Sequence, residues 1–506
     1  MTIKILSQNK YLFTDLRHIR CGDLEWASPD GTFLPVINPP GPISEAHANT
    51  GFVPHGIRLE AKEGERVVLE KSIHEGAWRI VFEDGMYRAF YLETDPAFIC
   101  YIESKDGFDW TEPRKSPLKV PPGRVCHEFT FFIDEHGPAE ERYKCIYPVW
   151  ATQSELPGLW KDYQKVHPRY KDLRFSKDRI QRMFAAVSPD GINWTPLPEP
   201  LMYFGGDTDT TVYYDNHLGK YVLYTRQFIN DRRWIGRAES DDFRNWGPIE
   251  SIIGPNLDSP FSHDLYTNGR CSYPGLDTYH LMFPWIYERY TQRGSVYLYS
   301  SEDGIYWDKV PGGPIVPVGK TGDWNGEYVG ATRDLVPFGK NQVAIMSNEH
   351  ARPHKYPRWK TTEPSSDNPT TRFIPPKYGG GSFWNTWPDG RLCGLVADED
   401  GEFFTFPVVP QGRQLRLNAR VHRGGDLRVG LMKHGDAGPG THMQYTYHNR
   451  QDIPKRTISD CDPIFGNDIS LPVHWNGQSD INIRDGEAVT LHFKLRAAEL
   501  FGFEWI

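Results

Sequence analysis

Short apolar runs rich in aromatic residues recur along the chain, and four of them lead into nearly the same polar segment. That segment reads Ser-Lys-Asp-Gly-Phe-Asp-Trp at 104–110, Ser-Pro-Asp-Gly-Ile-Asn-Trp at 188–194, Ser-Asp-Asp-Phe-Arg-Asn-Trp at 240–246 and Ser-Glu-Asp-Gly-Ile-Tyr-Trp at 301–307. Asp-Gly turns the chain tightly, because glycine accepts positive φ and aspartate caps its own turn. Each copy therefore predicts a hairpin between two strands, followed by a Trp that packs between neighbouring sheets.

The residues before each hairpin complete a unit of four strands. The third unit is the clearest, with strands predicted at 211–215, 220–226 and 234–239 and a fourth after Trp246. Similar units begin near residues 78, 128, 264 and 327, so the pattern predicts a five-bladed β-propeller, a ring whose edges are short and protected. The N-terminal segment is expected to supply the strand that closes the last blade.

The pattern changes near residue 400 to longer stretches in which apolar and polar residues alternate. This alternation predicts a separate β-sandwich. We therefore expect an all-β protein with a propeller over 1–399 and an accessory sandwich over 400–506. Two insertions, 151–181 and 351–380, follow the second strands of their blades and are expected to stand over one mouth of the central channel.

Composition narrows the functional class. Aromatic residues make up 14% of the 506 residues, which suits short strands and surfaces that stack on sugars. The net charge of −9 without a basic block argues against nucleic acid, and no apolar run is long enough for a membrane span. Seven scattered cysteines without a CxxC pair, and no apolar signal segment, predict a cytoplasmic protein, with an unusual export route and a homo-oligomer left open.

Acidic residues and histidines precede the predicted inner strands, whose starts converge on one mouth of the channel. They include His127, Glu128, Asp207, Asp209, His263, Asp264 and Glu327. Any one of the acids could simply cap a turn, but burying several together is costly without a purpose. Cleavage of a glycosidic bond needs one protonated and one ionised carboxyl group. We expect the ionised group and its modulator among Asp207, Asp209 and Asp264, and the proton donor to be Glu327 or Glu128.

Cationic and aromatic residues near the same mouth are candidates for binding a sugar. The predicted substrate-binding residues are His127, Arg226, Trp234, His263, Trp285, Arg289 and Trp324. An exposed arginine is usually only solvated, and each Trp fits core packing as well as it fits a stacking platform.

The repeats, the carboxylates at inner-strand starts and the trailing sandwich together resemble the five-bladed propeller glycoside hydrolases, the superfamily of invertases, fructosidases and arabinanases. The resemblance covers nearly the whole chain and implies a glycosidase that removes a terminal sugar, including a furanosidic one, from an oligosaccharide or glycoside without a cofactor. The Trp-Met-Asn-Asp-Pro-Asn, Arg-Asp-Pro and Glu-Cys segments of invertases are absent, and Arg333-Asp334-Leu335 does not match the second. No catalytic residue is therefore transferred from the family.

Three other functions stay open at this point. A glycoside phosphorylase would need a phosphate cradle, for which Arg226, Arg232, Arg233, Arg289 and His350 are candidates. A sialidase is disfavoured, because its repeated box has one residue between Asp and Gly. A non-catalytic carbohydrate-binding propeller would not need so many carboxylates. His350 is also the candidate ligand if a metal ion lies on the propeller axis.

Overall fold

The computed structural model describes residues 8–19, 54–69, 78–94, 96–119, 124–125, 129–159, 161, 181–203, 206, 209–257, 259–351, 353–354, 381–433 and 451–506. The chain divides into two compact units. One contains Glu63–Lys309 and Gly313–Trp387, and the other contains Met1–Lys62, Val310–Gly312 and Pro388–Ile506. Both units are built from β-strands, as the all-β prediction requires.

The strands follow the predicted order of blades. Three short strands come first: β1 (Lys10–Leu12), β2 (Arg58–Ala61) and β3 (Glu65–Val68). Blade 1 contains β4 (Trp78–Glu83), β5 (Met86–Thr94), β6 (Ala97–Ser104) and β7 (Arg114–Pro117). Blade 2 contains β8 (Arg124–Val125), β9 (Thr130–Ile133), a 3-10 turn (Ala139–Glu141), β10 (Tyr143–Trp150), β11 (Gln181–Ser188) and β12 (Thr195–Pro196).

The next two blades differ in regularity. Blade 3 is a plain four-stranded sheet of β13 (Thr211–Asp215), β14 (Lys220–Ile229), β15 (Arg232–Ser240) and β16 (Glu250–Ile253). Blade 4 is broken into shorter strands: β17 (His263–Leu265), β18 (Cys271–Tyr273), β19 (Leu276–Met282), β20 (Trp285–Glu288), β21 (Arg293–Val296), β22 (Tyr299–Ser301) and β23 (Asp308–Lys309). The half nearer the predicted mouth pairs as β17-β20-β21, and the other half pairs as β18-β19-β22-β23.

Blade 5 is completed by a strand from the other end of the chain. It contains β24 (Tyr328–Phe338), β25 (Gln342–His350) and β26 (Gly381–Pro388). β26 pairs antiparallel with β3, from Phe383 opposite Val68 to Thr386 opposite Glu65. The N-terminal segment therefore supplies the fourth strand of the last blade, which is the place that the repeat pattern left for it.

The Asp of the repeated hairpin accepts from the same two backbone amides in every copy. In blade 1 the hydroxyl oxygen of Ser104 accepts from the Gly107 amide at 2.9 Å, and the Asp106 carboxylate accepts from the Phe108 and Asp109 amides at 2.8 and 2.9 Å. The Trp110 indole donates to the Gly107 carbonyl at 3.1 Å. In blade 3 the glycine position is held by Phe243, whose φ of 64° is the left-handed conformation that glycine adopts easily.

Each turn packs against the preceding blade, which gives the ring its continuity. The Trp384 indole of blade 5 donates to the Gly107 carbonyl of blade 1 at 2.9 Å, and the Tyr224 hydroxyl of blade 3 donates to the Gly304 carbonyl of blade 4 at 2.6 Å. A Cβ atom would lie 2.8 Å from the Tyr224 hydroxyl at Gly304 and 3.3 Å from the Trp384 ring at Gly107, so the available space favours glycine in addition to the positive φ of both turns.

A buried ion pair joins the last blade to the first near the axis. The guanidinium group of Arg79 on β4 donates to the Asp334 carboxylate on β24 at 2.9–3.0 Å through Nε and 2.5 Å through Nη2. The same group donates to the Thr130 hydroxyl on β9 at 2.9 Å, and Asp334 also accepts from the Ile80 amide at 2.8 Å. Inner strands of three blades are thus tied together by one guanidinium group.

The second unit is a β-sandwich built around two long antiparallel strands. The two long strands are β28 (Leu415–Lys433) and β31 (Val489–Trp505), and the shorter ones are β27 (Cys393–Phe404), β29 (Gln451–Asp452) and β30 (Asn467–Pro472). The sheet order is β2-β27-β31-β28-β29, and in addition β1 pairs with β31 and β30 pairs with β28. Register shifts between Val421 and Asp426 bend the β28–β31 pair, which lets the sheet enclose an apolar core.

The division between the units differs from the predicted boundary at 399/400. β1 and β2 pair with β31 and β27, so the described residues 8–19 and 54–62 belong with the sandwich and not with the ring. Period-two patterns do not reveal which sheet a short N-terminal strand joins, because that choice depends on pairing across hundreds of residues.

We predict that Asp334→Ala destabilises the propeller by about 3–5 kcal/mol, because it leaves the Arg79 guanidinium group buried without its counter-ion. Urea unfolding monitored by near-UV circular dichroism measures the change. The control is Glu93→Ala, which removes a 2.8 Å ion pair with the exposed Lys115 and is expected to leave the transition almost unchanged. Equal transitions in the two variants would contradict a structural role for the buried pair.

Candidate active site

Only some of the predicted carboxylates lie in the part of the chain that the structure describes. His127, Glu128 and Asp207 lie outside that part, as does most of both predicted insertions. Asp209 precedes β13, Asp264 lies in β17 and Glu327 precedes β24. These three are therefore at the starts of the inner strands of blades 3, 4 and 5, as the strand order predicted.

Asp264 is a buried carboxylate surrounded by donors. It is fully buried, and its oxygens accept from the Arg233 amide at 3.1 Å and from the Arg233 guanidinium group at 2.5 Å. The Arg289 Nε atom lies 3.7 Å from the same carboxylate. Asp264 thus accepts two hydrogen bonds from Arg233, one of them charge-assisted, and has a second guanidinium group nearby.

Glu327 has a different environment. Its side chain is 7% exposed, and the nearest cation is the Arg293 guanidinium group, with Nε at 3.8 Å. Burial raises the pKa of Glu327, and the charge of Arg293 opposes this only in part. Arg293 is itself held by the Gly326 carbonyl at 2.9 Å and the Gly319 carbonyl at 2.6 Å. A carboxyl group that keeps its proton above the usual pH range is what a general acid requires.

Asp209 connects blade 3 to the break in blade 4. Its carboxylate accepts from the backbone amides of Asn268 and Gly269, the latter at 2.8 Å. Its φ is 61°, a conformation that aspartate adopts more readily than most residues. The Asn268 amide group donates back to the Asp209 carbonyl and accepts from the Thr211 hydroxyl at 2.9 Å. These contacts favour a structural role for Asp209.

The structure does not combine Asp264 and Glu327 in one hydrogen-bonded group. Asp264 lies opposite Tyr287, which lies opposite Gly294, which in turn bridges to Tyr328. Glu327 immediately precedes Tyr328, so the β20–β21 pair lies between the two carboxylates along the sheet. Asp264 belongs with Arg233 and Arg289, and Glu327 with Arg293.

An aromatic cluster next to Asp264 contains residues that the sequence did not single out. The Tyr266 hydroxyl is 2.8 Å from His354 Nε2, and the Tyr266 ring centre is 4.6 Å from that of Trp285. The guanidinium carbons of Arg226 and Arg233 lie 4.1 and 4.3 Å from the Tyr266 ring centre. Tyr266 is two residues from Asp264 and so on the same face, which is the signal that could have found it.

Of two predicted stacking platforms, Trp285 is a packing residue in this structure and Trp234 is half-buried. Trp285 is 1% exposed, and its indole lies against the backbone at Gly294. The Trp234 ring lies over Gly254, where a Cβ atom would be 2.1 Å from the ring. Gly294 lies on β21 and Gly254 directly follows β16, and both make room for a ring; the core alternative therefore describes the buried Trp285, and Trp234 is packed on one side only.

Trp324 fits the predicted platform better. It is 37% exposed, and its ring centre is 4.5 Å from that of Phe383. It lies three residues before Glu327, on the segment held by Arg293. A solvent-facing indole and a buried acid are therefore close together in one short segment.

The predicted arginines mainly donate to backbone carbonyls. Arg226 is buried and donates to the Tyr266 carbonyl at 3.0 and 3.2 Å. Arg232 donates to the His263 carbonyl at 2.9 and 3.1 Å, and Arg289 donates to the Asp231 and Phe261 carbonyls at 2.9 and 3.0 Å. These bonds fix loops, which leaves the proposed phosphate cradle with fewer available donors. His263 is half-buried, and burial lowers its pKa.

Two further observations concern metals and membranes. Within the described ranges, no group of three or more His, Cys, Asp and Glu side chains is placed to hold a metal ion. A search of the same ranges finds no helix with the length and apolar character needed to cross a membrane.

Among known proteins, the chain is similar only to solved structures. No protein-family model and no curated protein matches the chain. A thermostable family-43 glycoside hydrolase matches at 13% identity and a TM-score of 0.38, over 65% of this chain and 91% of its own. A glycosyl hydrolase from Bacteroides ovatus matches at 12% and 0.38, over 64% and 84%. The GH32 β-fructofuranosidase of Bombyx mori matches at 10% and 0.37, over 89% and 94%.

The environment of Glu327 predicts how the thermal stability of a Glu327→Gln variant changes with pH relative to the wild type. Because its folded pKa is raised, Glu327 contributes stability that is complete below the ordinary value of 4.5 and is lost as pH rises through the folded pKa. Glu327→Gln should therefore gain melting temperature over the wild type as pH rises from about 4 to about 8.

The matched control has the opposite sign. The pKa of Glu487 is lowered by its hydrogen bond with Lys433, so Glu487→Gln should lose stability relative to the wild type above 4.5. Differential scanning fluorimetry across the pH series measures both differences. Parallel curves for the two variants would show that Glu327 is not desolvated.

Proposed function

We propose that this protein is a glycoside hydrolase that removes a terminal sugar, with Glu327 as the proton donor. The observation that supports this most is the buried Glu327 carboxyl group with its raised pKa, three residues after the exposed indole of Trp324. Protonation of a leaving oxygen needs such an acid, and a sugar ring held against an aromatic face is oriented for it.

Asp264 has a supporting role in this mechanism. Its carboxylate is fully buried and bound by Arg233, so it cannot also attack a substrate without losing that ion pair. We assign it as the modulator that holds Arg233 and Arg289 at the mouth. The ionised carboxylate that attacks, or activates water, is then expected to be Asp207, the remaining candidate of the sequence analysis for that role.

The proton-donor role predicts a dependence on the leaving group. Glu327→Gln should lower kcat by roughly 10²–10⁴-fold on 4-nitrophenyl furanosides and much less on 2,4-dinitrophenyl furanosides, whose leaving group needs no proton. Release of the nitrophenol measures both rates, and Glu302→Gln on an exposed turn of blade 4 serves as the control. An equal loss on both substrates would contradict acid catalysis by Glu327.

The same experiment separates the alternatives. A hydrolase turns over without added phosphate, whereas a phosphorylase requires it. Sugar binding by the wild type without product, after prolonged incubation, would favour the non-catalytic carbohydrate-binding propeller.

The ion contact with Arg293 predicts a shift of the pH profile. Since Arg293 lowers the pKa of Glu327, Arg293→Met should raise it, and the basic limb of kcat/KM should move to higher pH. Arg293→Lys keeps the charge and should leave the limb near its wild-type position. A basic limb that is the same in the wild type and in Arg293→Met would mean that another group controls it.

A further inference from the structure

Three large apolar side chains are strongly exposed on the loops next to β17, which carries Asp264, and β20, which pairs with it. Leu257 is 95% exposed, Phe261 82% and Tyr290 88%. Leu257 and Phe261 lie in the loop between β16 and β17, and Tyr290 lies in the hairpin between β20 and β21. Single exposed apolar residues are common, but several on adjoining loops at one rim indicate a binding surface.

The backbone beneath these side chains is held by arginines. The Arg289 guanidinium group donates to the Phe261 carbonyl at 3.0 Å and to the Asp231 carbonyl in the blade 3 hairpin at 2.9 Å. The Arg289 amide donates to the Ser262 carbonyl at 2.9 Å, and Arg232 donates to the Pro260 carbonyl at 3.1 Å. The loop and both hairpins are therefore fixed to one another, and the exposed rings are carried on a rigid frame.

A rigid frame under exposed rings favours binding, because the loops lose little conformational freedom when a ligand arrives. The same frame reaches Asp264, the carboxylate assigned above as the modulator. Arg289 Nε is 3.7 Å from the Asp264 carboxylate, so the Phe261 backbone and the buried acid are separated by one guanidinium group.

We propose that Phe261 and Tyr290 form a platform for the part of a saccharide chain that extends beyond the cleaved terminal sugar. This inference rests on the proposed function, and it specifies an oligosaccharide and not a simple glycoside as the substrate class. Aromatic rings bordered by guanidinium and hydroxyl groups match the apolar faces and polar edges of sugar rings.

The size of the surface argues against a second copy of the chain as the occupant. Two aromatic side chains and one leucine offer roughly 500 Å² at most, and a stable protein interface needs about 800 Å² from each partner. A few sugar units require much less area.

Binding can be measured separately from catalysis by affinity electrophoresis in gels that contain soluble arabinan, levan or xylan. Wild-type protein is expected to be retarded in at least one gel. The double variant Phe261→Ala/Tyr290→Ala should bind that polysaccharide roughly tenfold more weakly. The two rings are expected to contribute equally to the free energy that this tenfold change represents. Tyr306→Ala is the matched control, because Tyr306 is 80% exposed in the Asp-Gly turn at the opposite end of blade 4.

The outcomes distinguish this proposal from the proposed function. Normal cleavage of nitrophenyl furanosides by the double variant, with weaker polysaccharide binding, supports the platform. Retarded wild type without any cleavage would reject the hydrolase and keep the platform as a binding site. No retardation of the wild type in any of the three gels, or equal retardation of wild type and double variant, overturns the platform. A change from dimer to monomer in the double variant, seen by sedimentation velocity, would make the surface a self-association interface and also overturn it.

Discussion

The geometry of the ring depends on the ion pair between Arg79 and Asp334. It joins the inner strand of the last blade to that of the first, and the Thr130 hydroxyl extends the contact to blade 2. A propeller made from one chain has two free ends, and both must be fixed before the inner strands can face a common axis. β3 fixes the outer edge of blade 5 by pairing with β26, and the ion pair fixes its inner edge.

The sequence predicted those parts of the fold that are determined locally. The Ser-x-Asp-Gly-x-x-Trp hairpins were predictable because all of their hydrogen bonds lie within a few residues of each other. The break in blade 4 was not predictable, because it is stabilised by Asp209, which is about sixty residues away from Asn268 and Gly269. The Arg79–Asp334 pair spans 255 positions and leaves no local pattern.

For the candidate site, the sequence predicted which acids lie at the starts of inner strands, but it did not predict which partners the nearby side chains contact. Alternation and strand order place Asp264 and Glu327 at inner-strand starts, as expected. Whether an arginine meets a ligand or a backbone carbonyl depends on the path of the neighbouring loop, and Arg232 and Arg289 meet carbonyls. Whether a Trp is open or packed depends on a glycine of another strand, which is why Trp285 is buried and Trp324 is not.

Ring closure and acid strength are connected through one strand. Glu327 immediately precedes β24, and Asp334 lies within it, just before the ladder with β25 resumes at Leu335. The raised pKa of Glu327 requires that water stays away from its carboxyl group, and this requires that the start of β24 stays in place. A strand anchored by a buried ion pair moves less than one held at a sheet edge alone, because displacement would leave a guanidinium group and a carboxylate unpaired in the interior. The contact that closes the ring therefore also maintains the dry environment on which the proposed proton donor depends.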